Sequence, residues 1–282
     1  GNAYVTGLTA SGNFPTKSAV QQSLRGVVDA FVAKIADKGN THSSVSAASY
    51  LAASLAPQQI AAAFGSELAD SVTVANVTPL PTSLGGVTVN VTDSAGNQRP
   101  ASLFFVSPGQ INFAMPEALA NGLAQIAVSK NGVTVSTEAK QVEPVSPGIF
   151  SASSNGAGVA AAVVLRVKAD GSQRYEAVSR FDSALGKFVA VPIDLGDAAS
   201  GEQVYLILFG TGLRGRSSLT AVSASLGGTA MPVFYAGLQG DFVGLDQINI
   251  GPLPRTMVGR GEIDVLAVID GKNANVVKIS FQ

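Results

Sequence analysis

Ser107-Pro108-Gly109-Gln110-Ile111-Asn112-Phe113-Ala114-Met115-Pro116 has a partner later in the chain, Gly244-Leu245-Asp246-Gln247-Ile248-Asn249-Ile250-Gly251-Pro252-Leu253-Pro254. Each places Gln-Ile-Asn before an apolar residue and closes on proline. Three further landmarks repeat in the same order. Phe64-Gly65-Ser66-Glu67-Leu68 answers Phe209-Gly210-Thr211-Gly212-Leu213, Ser83-Leu84-Gly85-Gly86 answers Ser225-Leu226-Gly227-Gly228, and Asn131-Gly132 answers Asp270-Gly271. The offsets are 210 − 65 = 145, 226 − 84 = 142, 247 − 110 = 137 and 271 − 132 = 139. Constant order and near-constant spacing predict a duplicated all-β module of roughly 100 residues.

Composition agrees with that class. The 282 residues allow two domains, and 46% hydrophobic content supplies their cores. Only 13% of residues are charged and the net charge is −1, which gives no basis for nucleic-acid or anionic-membrane binding. There is no Cys, so disulfides, thiolate chemistry and Cys-ligated metal are excluded. No run reaches the ~18 apolar residues of a membrane span. Few charges among many small polar residues predict an extracellular or bacterial cell-surface protein, exported by a signal outside this chain.

Along the chain, residues 1–40 read as a separate β-hairpin. Tyr4, Thr6 and Leu8 alternate with Val5, Gly7 and Thr9, Gly12-Asn13-Phe14-Pro15 turns, and 29–35 forms the second strand. The stretch 46–51 is helix-prone, and 55–64 leads through a turn at Pro57 into an apolar strand. Val87-Thr88-Val89-Asn90-Val91 alternates, Asp93-Ser94-Ala95-Gly96-Asn97 is a hairpin turn, and Asn131-Gly132 is the strongest hairpin signal present. Pro144-Val145-Ser146-Pro147-Gly148-Ile149-Phe150 stops regular structure and sets a boundary near 146. The organisation expected is a hairpin over 1–40, one module over 41–146 and a second over 147–282. The second carries extra N-terminal strands and a loop-rich insertion at 181–200. Its core is expected to hold Leu206, Phe209, Val233, Ile248 and Val265.

These residues also carry resemblances. Gly1-Asn2-Ala3-Tyr4-Val5-Thr6-Gly7, Phe14-Pro15-Thr16 and Asp29-Ala30-Phe31-Val32-Ala33-Lys34 resemble one copy of the bacterial β-propeller repeat. A propeller takes typically 4–8 blades, so one copy cannot build it. Residues 45–282 resemble the uncharacterised C-terminal domain of Solibacter-type secreted proteins. The marks are the Ala-Ala-Ser-Tyr opening, the Phe-Gly-Ser/Thr-x-Leu turns, Ser-Pro-Gly-Ile-Phe, Pro-Val-Phe-Tyr-Ala-Gly and the two Gln-Ile-Asn stretches. Each module is similar to the immunoglobulin-like TIG fold, which implies two tandem β-sandwiches. That resemblance implies no activity. Gln58 and Gln59 depart from its Gly after the proline, and Glu67 stands where Asn or Gly is commoner.

Chemistry is sparse. His42, the one histidine, lies in Thr-His-Ser-Ser and reads as a solvated linker residue; any Ser-His-Asp set would have to use it. Asp93, Asp170, Asp241, Asp246 and Asp270 adjoin turns, where a carboxylate bonds backbone N–H groups. No Asp-x-Asp-x-Asp run suggests calcium. On a strand, Gln110 and Asn112 share one face, as do Gln247 and Asn249. They are read as structural amides that tie a loop's backbone to the sheet, with Gly65 and Gly210 as the matching turn glycines; a repeated ligand strip is the alternative. The reading is therefore a non-enzymatic structural or assembly protein without cofactor or metal. Tyr4, Val5, Phe14, Phe31, Val32 and Ile35 are its self-association candidates, since an isolated hairpin exposing them needs a cover. The competing reading is a module binding a surface glycan or protein through Arg174, Tyr175, Arg180, Phe181 and Tyr235. Absence of Trp weakens an aromatic sugar platform.

Overall fold

The computed structural model describes residues 2–14, 21, 23, 25–36 and 41–282; the side chains of 2–4, 33–36 and 198 lie outside that description. The chain divides into two compact units, Gly1–Gly39 and Asn40–Gln282.

The first unit is an antiparallel pair, β1 (Asn2–Thr9) and β2 (Asp29–Ala36). Phe31 lies across from Gly7, and its ring fills the space a side chain there would take. Phe14 packs on Phe31 with ring centroids 4.6 Å apart. The opposite face presents Leu8 and Val32, 75% and 71% exposed.

The second unit is all-β with short 3₁₀ turns among the described residues. Its first part comprises β3 (Ser43–Ser46), β4 (Ile60–Phe64), β5 (Thr73–Val74), β6 (Ser83–Leu84), β7 (Val87–Thr92), β8 (Gln98–Pro100), β9 (Ser102–Val106), β10 (Gln110–Ala114), β11 (Gly122–Lys130) and β12 (Val133–Val142). One sheet runs β3-β4-β10-β9-β5 and the other β12-β11-β7-β6, with β8 on β7. Strict alternation buries Val87, Val89 and Val91 against Leu103, Ile111, Phe113 and Ile126, so the two sheets enclose one core.

The second part repeats the plan with β13 (Gly148–Ile149), β14 (Ala162–Val167), β15 (Gln173–Ala177), β16 (Ser179–Asp182), β17 (Lys187–Ala190), β18 (Gln203–Thr211), β19 (Val222–Leu226), β20 (Thr229–Met231), β21 (Val233–Leu238), β22 (Asp246–Ile250), β23 (Gly261–Ile269), β24 (Lys272–Asn273) and β25 (Val277–Phe281). Its sheets are β15-β14-β18-β22-β21, with β13 on β18, and β20-β19-β23-β24, with β25 on β23. Leu206, Leu208, Ile248, Val265 and Ile279 lie in its core, and Val233 packs against them.

The sequence landmarks become matched backbone devices. Gly85-Gly86, Asn131-Gly132, Gly227-Gly228 and Asp270-Gly271 all have two consecutive residues at positive φ. That is the hairpin turn whose twist suits antiparallel strands. The central strands β10 and β22 are equivalent, and so are their bulges. Asn112 faces Phe105 while Phe113 faces Leu103, which leaves Phe104 extra. Asn249 faces Tyr235 while Ile250 faces Val233, which leaves Phe234 extra.

Several expectations change. The 46–51 stretch is not a helix: Ser46 ends β3 and a turn follows at 47–49, where the Ser46 hydroxyl accepts the N–H groups of Ala48 and Ser49. A side chain that offers the backbone a local partner competes with helix. The 181–200 insertion is not loop-rich throughout, because β16 and β17 pair and Phe181 meets Phe188 edge-on at 5.4 Å. Phe209 is half-buried and points away from the core, since Leu206 and Leu208 take the inward positions of β18. A continuous apolar run hides that alternation.

Candidate functional site

The Gln-Ile-Asn strands place Ile111 and Ile248 at 0% exposure, with the amides on the outer face of each sheet. Among the described residues the amides make no hydrogen bond to loop backbone. Gln110 Nε2 donates to Asn112 Oδ1 at 2.7 Å, and Asn249 Oδ1 is buried without a partner. Other groups hold the loops. Ser107 Oγ accepts the Gln110 N–H and donates to the Gln110 carbonyl. In the second module Asp246 accepts the Leu213 N–H at 3.0 Å and pairs with Arg214 Nε at 2.7 Å. Burial raises the Asp246 carboxyl above its usual range, against those two bonds. Gly65 and Gly210 sit where a side chain would meet Leu68 and His42, or the Gly148 carbonyl and Ile149.

His42 is not a solvated linker residue. It is 5% exposed, tucked beneath Gly65 where β3 and β12 close the edge of the first sandwich. Its Nδ1 lies 2.9 Å from Ser136 Oγ and its Nε2 3.7 Å from Glu138 Oε2. Glu138 also accepts the Ser44 N–H and pairs with Lys140, which donates to the Ala52 carbonyl. Burial holds the imidazole below its ordinary pKa, with Glu138 opposing and Lys140 assisting. A serine, a histidine and a carboxylate are thus in line, yet Ser136 is 2% exposed and has no face open to a substrate. The arrangement is an internal polar seal. Its signal in the sequence is Ser136, Glu138 and Lys140 at alternate positions of one strand, on the side of buried Val142.

The five ligand candidates do not form one site. Arg174 and Tyr175 lie on β15 and Tyr235 on β21, the two edges of the same sheet, four strand spacings or about 19 Å apart. Arg174 pairs with Glu176, and Arg180 with Asp182. Tyr235 donates to the Leu238 carbonyl. What the sheet does assemble is an outward apolar row. Tyr175 faces Leu165, Leu165 faces Tyr205, and Tyr205 meets Phe234 edge-on at 5.2 Å. Tyr175 and Phe234 are exposed; Leu165 and Tyr205 are half-buried. The bulge that pushes Phe234 outward is not visible as a composition or periodicity signal.

Of the assembly candidates, Val5 and Val32 are exposed, while Phe14 and Phe31 are half-buried against each other. The side chains of Tyr4 and Ile35 lie outside the described residues.

A cleft of about 790 Å³ opens between the two sandwiches. Gln58, Arg99, Met115 and Glu117 line one wall; Arg214, Asp241 and Phe242 line the other. Among the described residues, no group of three His, Asp or Glu side chains could hold a metal ion, and no helix is long and apolar enough to cross a membrane.

No family model and no curated protein matches the chain. Among solved structures it is similar to domains 5-6 of the S-layer protein SbsC, at 11% identity and a TM-score of 0.24, over 86% of this chain and 96% of that one.

Proposed function

We propose that this chain is a non-catalytic structural module of a bacterial cell surface that associates with further copies of itself, residues 1–40 of one copy lying on the next. The observation that carries the reading is the open row Tyr175, Leu165, Tyr205 and Phe234 on the second sandwich. Exposed contiguous apolar patches on soluble domains mark interaction sites. The hairpin unit supplies a complementary surface in Leu8 and Val32, and a two-stranded sheet alone is marginal in water. A head-to-tail contact that does not close into a ring extends into a filament. In this reading residues 45–282 belong with the C-terminal domains of Solibacter-type secreted proteins, and 1–40 with the bacterial β-propeller repeat.

The test is a charge placed in the row. The double substitution Tyr175→Asp, Phe234→Asp changes two exposed positions and leaves both cores intact. Sedimentation of the wild type should show concentration-dependent assemblies that the variant lacks. Identical sedimentation of the two proteins rejects this surface.

A further inference from the structure

We infer that the cleft between the two sandwiches is an oligosaccharide-binding site. Its size falls in the ~300–1,000 Å³ range of ligand pockets. Its walls are preformed. On the first module Gln58 donates to Glu117 Oε2 at 2.7 Å, and Arg214 of the second donates to Gln58 Oε1 at 3.3 Å. Gln58 holds a left-handed backbone, φ 60°, to do so. Such strain in a non-glycine residue is kept where the surroundings require it. The opposite wall is the loop joining β21 and β22. Its base is seated on the first module, because a side chain at Gly244 would meet Ile60 at 2.6 Å.

The functional groups select the ligand. Arg99 and Arg214 balance Glu117 and Asp241, 2 − 2 = 0, so the cleft favours neither anion nor cation. Among the described residues Arg99 spends only Nη1, on Asp93, while Glu117 Oε1 and Asp241 Oδ1 hold no hydrogen bond. Donors and acceptors therefore line one cleft, as binding of hydroxyl groups requires. Phe242 projects into the cleft, 66% exposed, as a ring on which a sugar face can stack. The free oxygens of Glu117 and Asp241 can accept from sugar hydroxyls and Arg99 can donate to them, with no charge on the ligand to be matched.

The experiment titrates the full chain with maltotetraose, cellotetraose and chitotetraose, followed by calorimetry. At least one should bind saturably. Phe242→Ala should weaken it about tenfold, the loss of roughly 1.4 kcal/mol that an aromatic contact supplies. Asp241→Asn should weaken it too, and neither variant should change the unfolding midpoint or the assembly state. Failure of all three sugars to bind at millimolar concentration overturns the inference. Binding that survives both substitutions places the sugar elsewhere and overturns it equally. Neither result bears on self-association, which is read by sedimentation.

Discussion

The hydroxyl of Thr211, the last residue of β18, accepts the backbone N–H of Ile60, the first residue of β4, at 2.9 Å. It donates in turn to the Gly244 carbonyl at 2.7 Å and is 0% exposed. One side chain thus ties a strand of each sandwich to the loop that walls the cleft. Gln59, also fully buried, adds a second tie by accepting the Ala56 N–H and donating to the Ser146 carbonyl. Thr211→Val keeps the shape and removes the hydroxyl. It should cost about 1–3 kcal/mol, because the Ile60 N–H is left unpaired. Denaturant unfolding checks it, and an unchanged midpoint shows that the tie contributes nothing.

Glu67 and Gly212 occupy the same place in the two Phe-Gly-x-x-Leu turns, with φ of 57° and 76°. Only glycine takes that conformation freely. Glu67→Gly should therefore stabilise by about 0.5–1 kcal/mol, the ~1–2 kcal/mol of relieved strain less the entropy glycine adds to the unfolded chain. Gly212→Ala should cost more than that strain alone, because its methyl would drive into the Ser146 carbonyl and Gln59. Equal midpoints for the two variants would contradict the equivalence of the turns.

Asn112 and Asn249 look identical in sequence and differ in what they hold. Asn112 accepts from Gln110, whereas Asn249 Oδ1 has no partner among the described residues. Asn249→Ala strands no group and should change stability by less than about 1 kcal/mol in either direction. Ile248→Ala, one residue earlier and 0% exposed, should cost about 2–5 kcal/mol. A large loss in Asn249→Ala would mean that the amide has a structural partner after all.

Acid should loosen the first sandwich at His42. The unfolded imidazole titrates near 6.5 and the buried one lower. Between those values the unfolded chain binds a proton that the native chain does not, so stability falls as pH drops below 6.5. Thermal melts from about pH 8 down to about pH 5 should show the decline, and His42→Gln should flatten it. A wild-type midpoint that rises on acidification contradicts the assignment.

How much of this was legible beforehand follows from where the signals are local. Paired positive-φ dipeptides such as Asn131-Gly132 and the Val87-Val89-Val91 alternation are local, and they yielded strands, turns and the duplication. The burial of His42 is invisible locally because it depends on Ser136, 94 residues away. Nothing near Thr-His-Ser-Ser carries that information. The bulges escaped for a related reason: Phe104-Phe105 and Phe234-Tyr235 read as ordinary strand, and only the cross-strand register shows that one residue of each pair is extra. Residue type alone groups the five ligand candidates, whereas sheet order puts Tyr175 and Tyr235 at opposite edges. The cleft, made by segments from two modules, has no contiguous signature at all.

Association of copies of this chain is proposed to run through residues 1–40. The direct measurement compares the whole chain with a version lacking residues 1–40, by light scattering and electron microscopy at matched concentration. Larger assemblies of the whole chain and a monodisperse single-copy species of the shortened one are the predicted result. The same assemblies from both would contradict association through this segment.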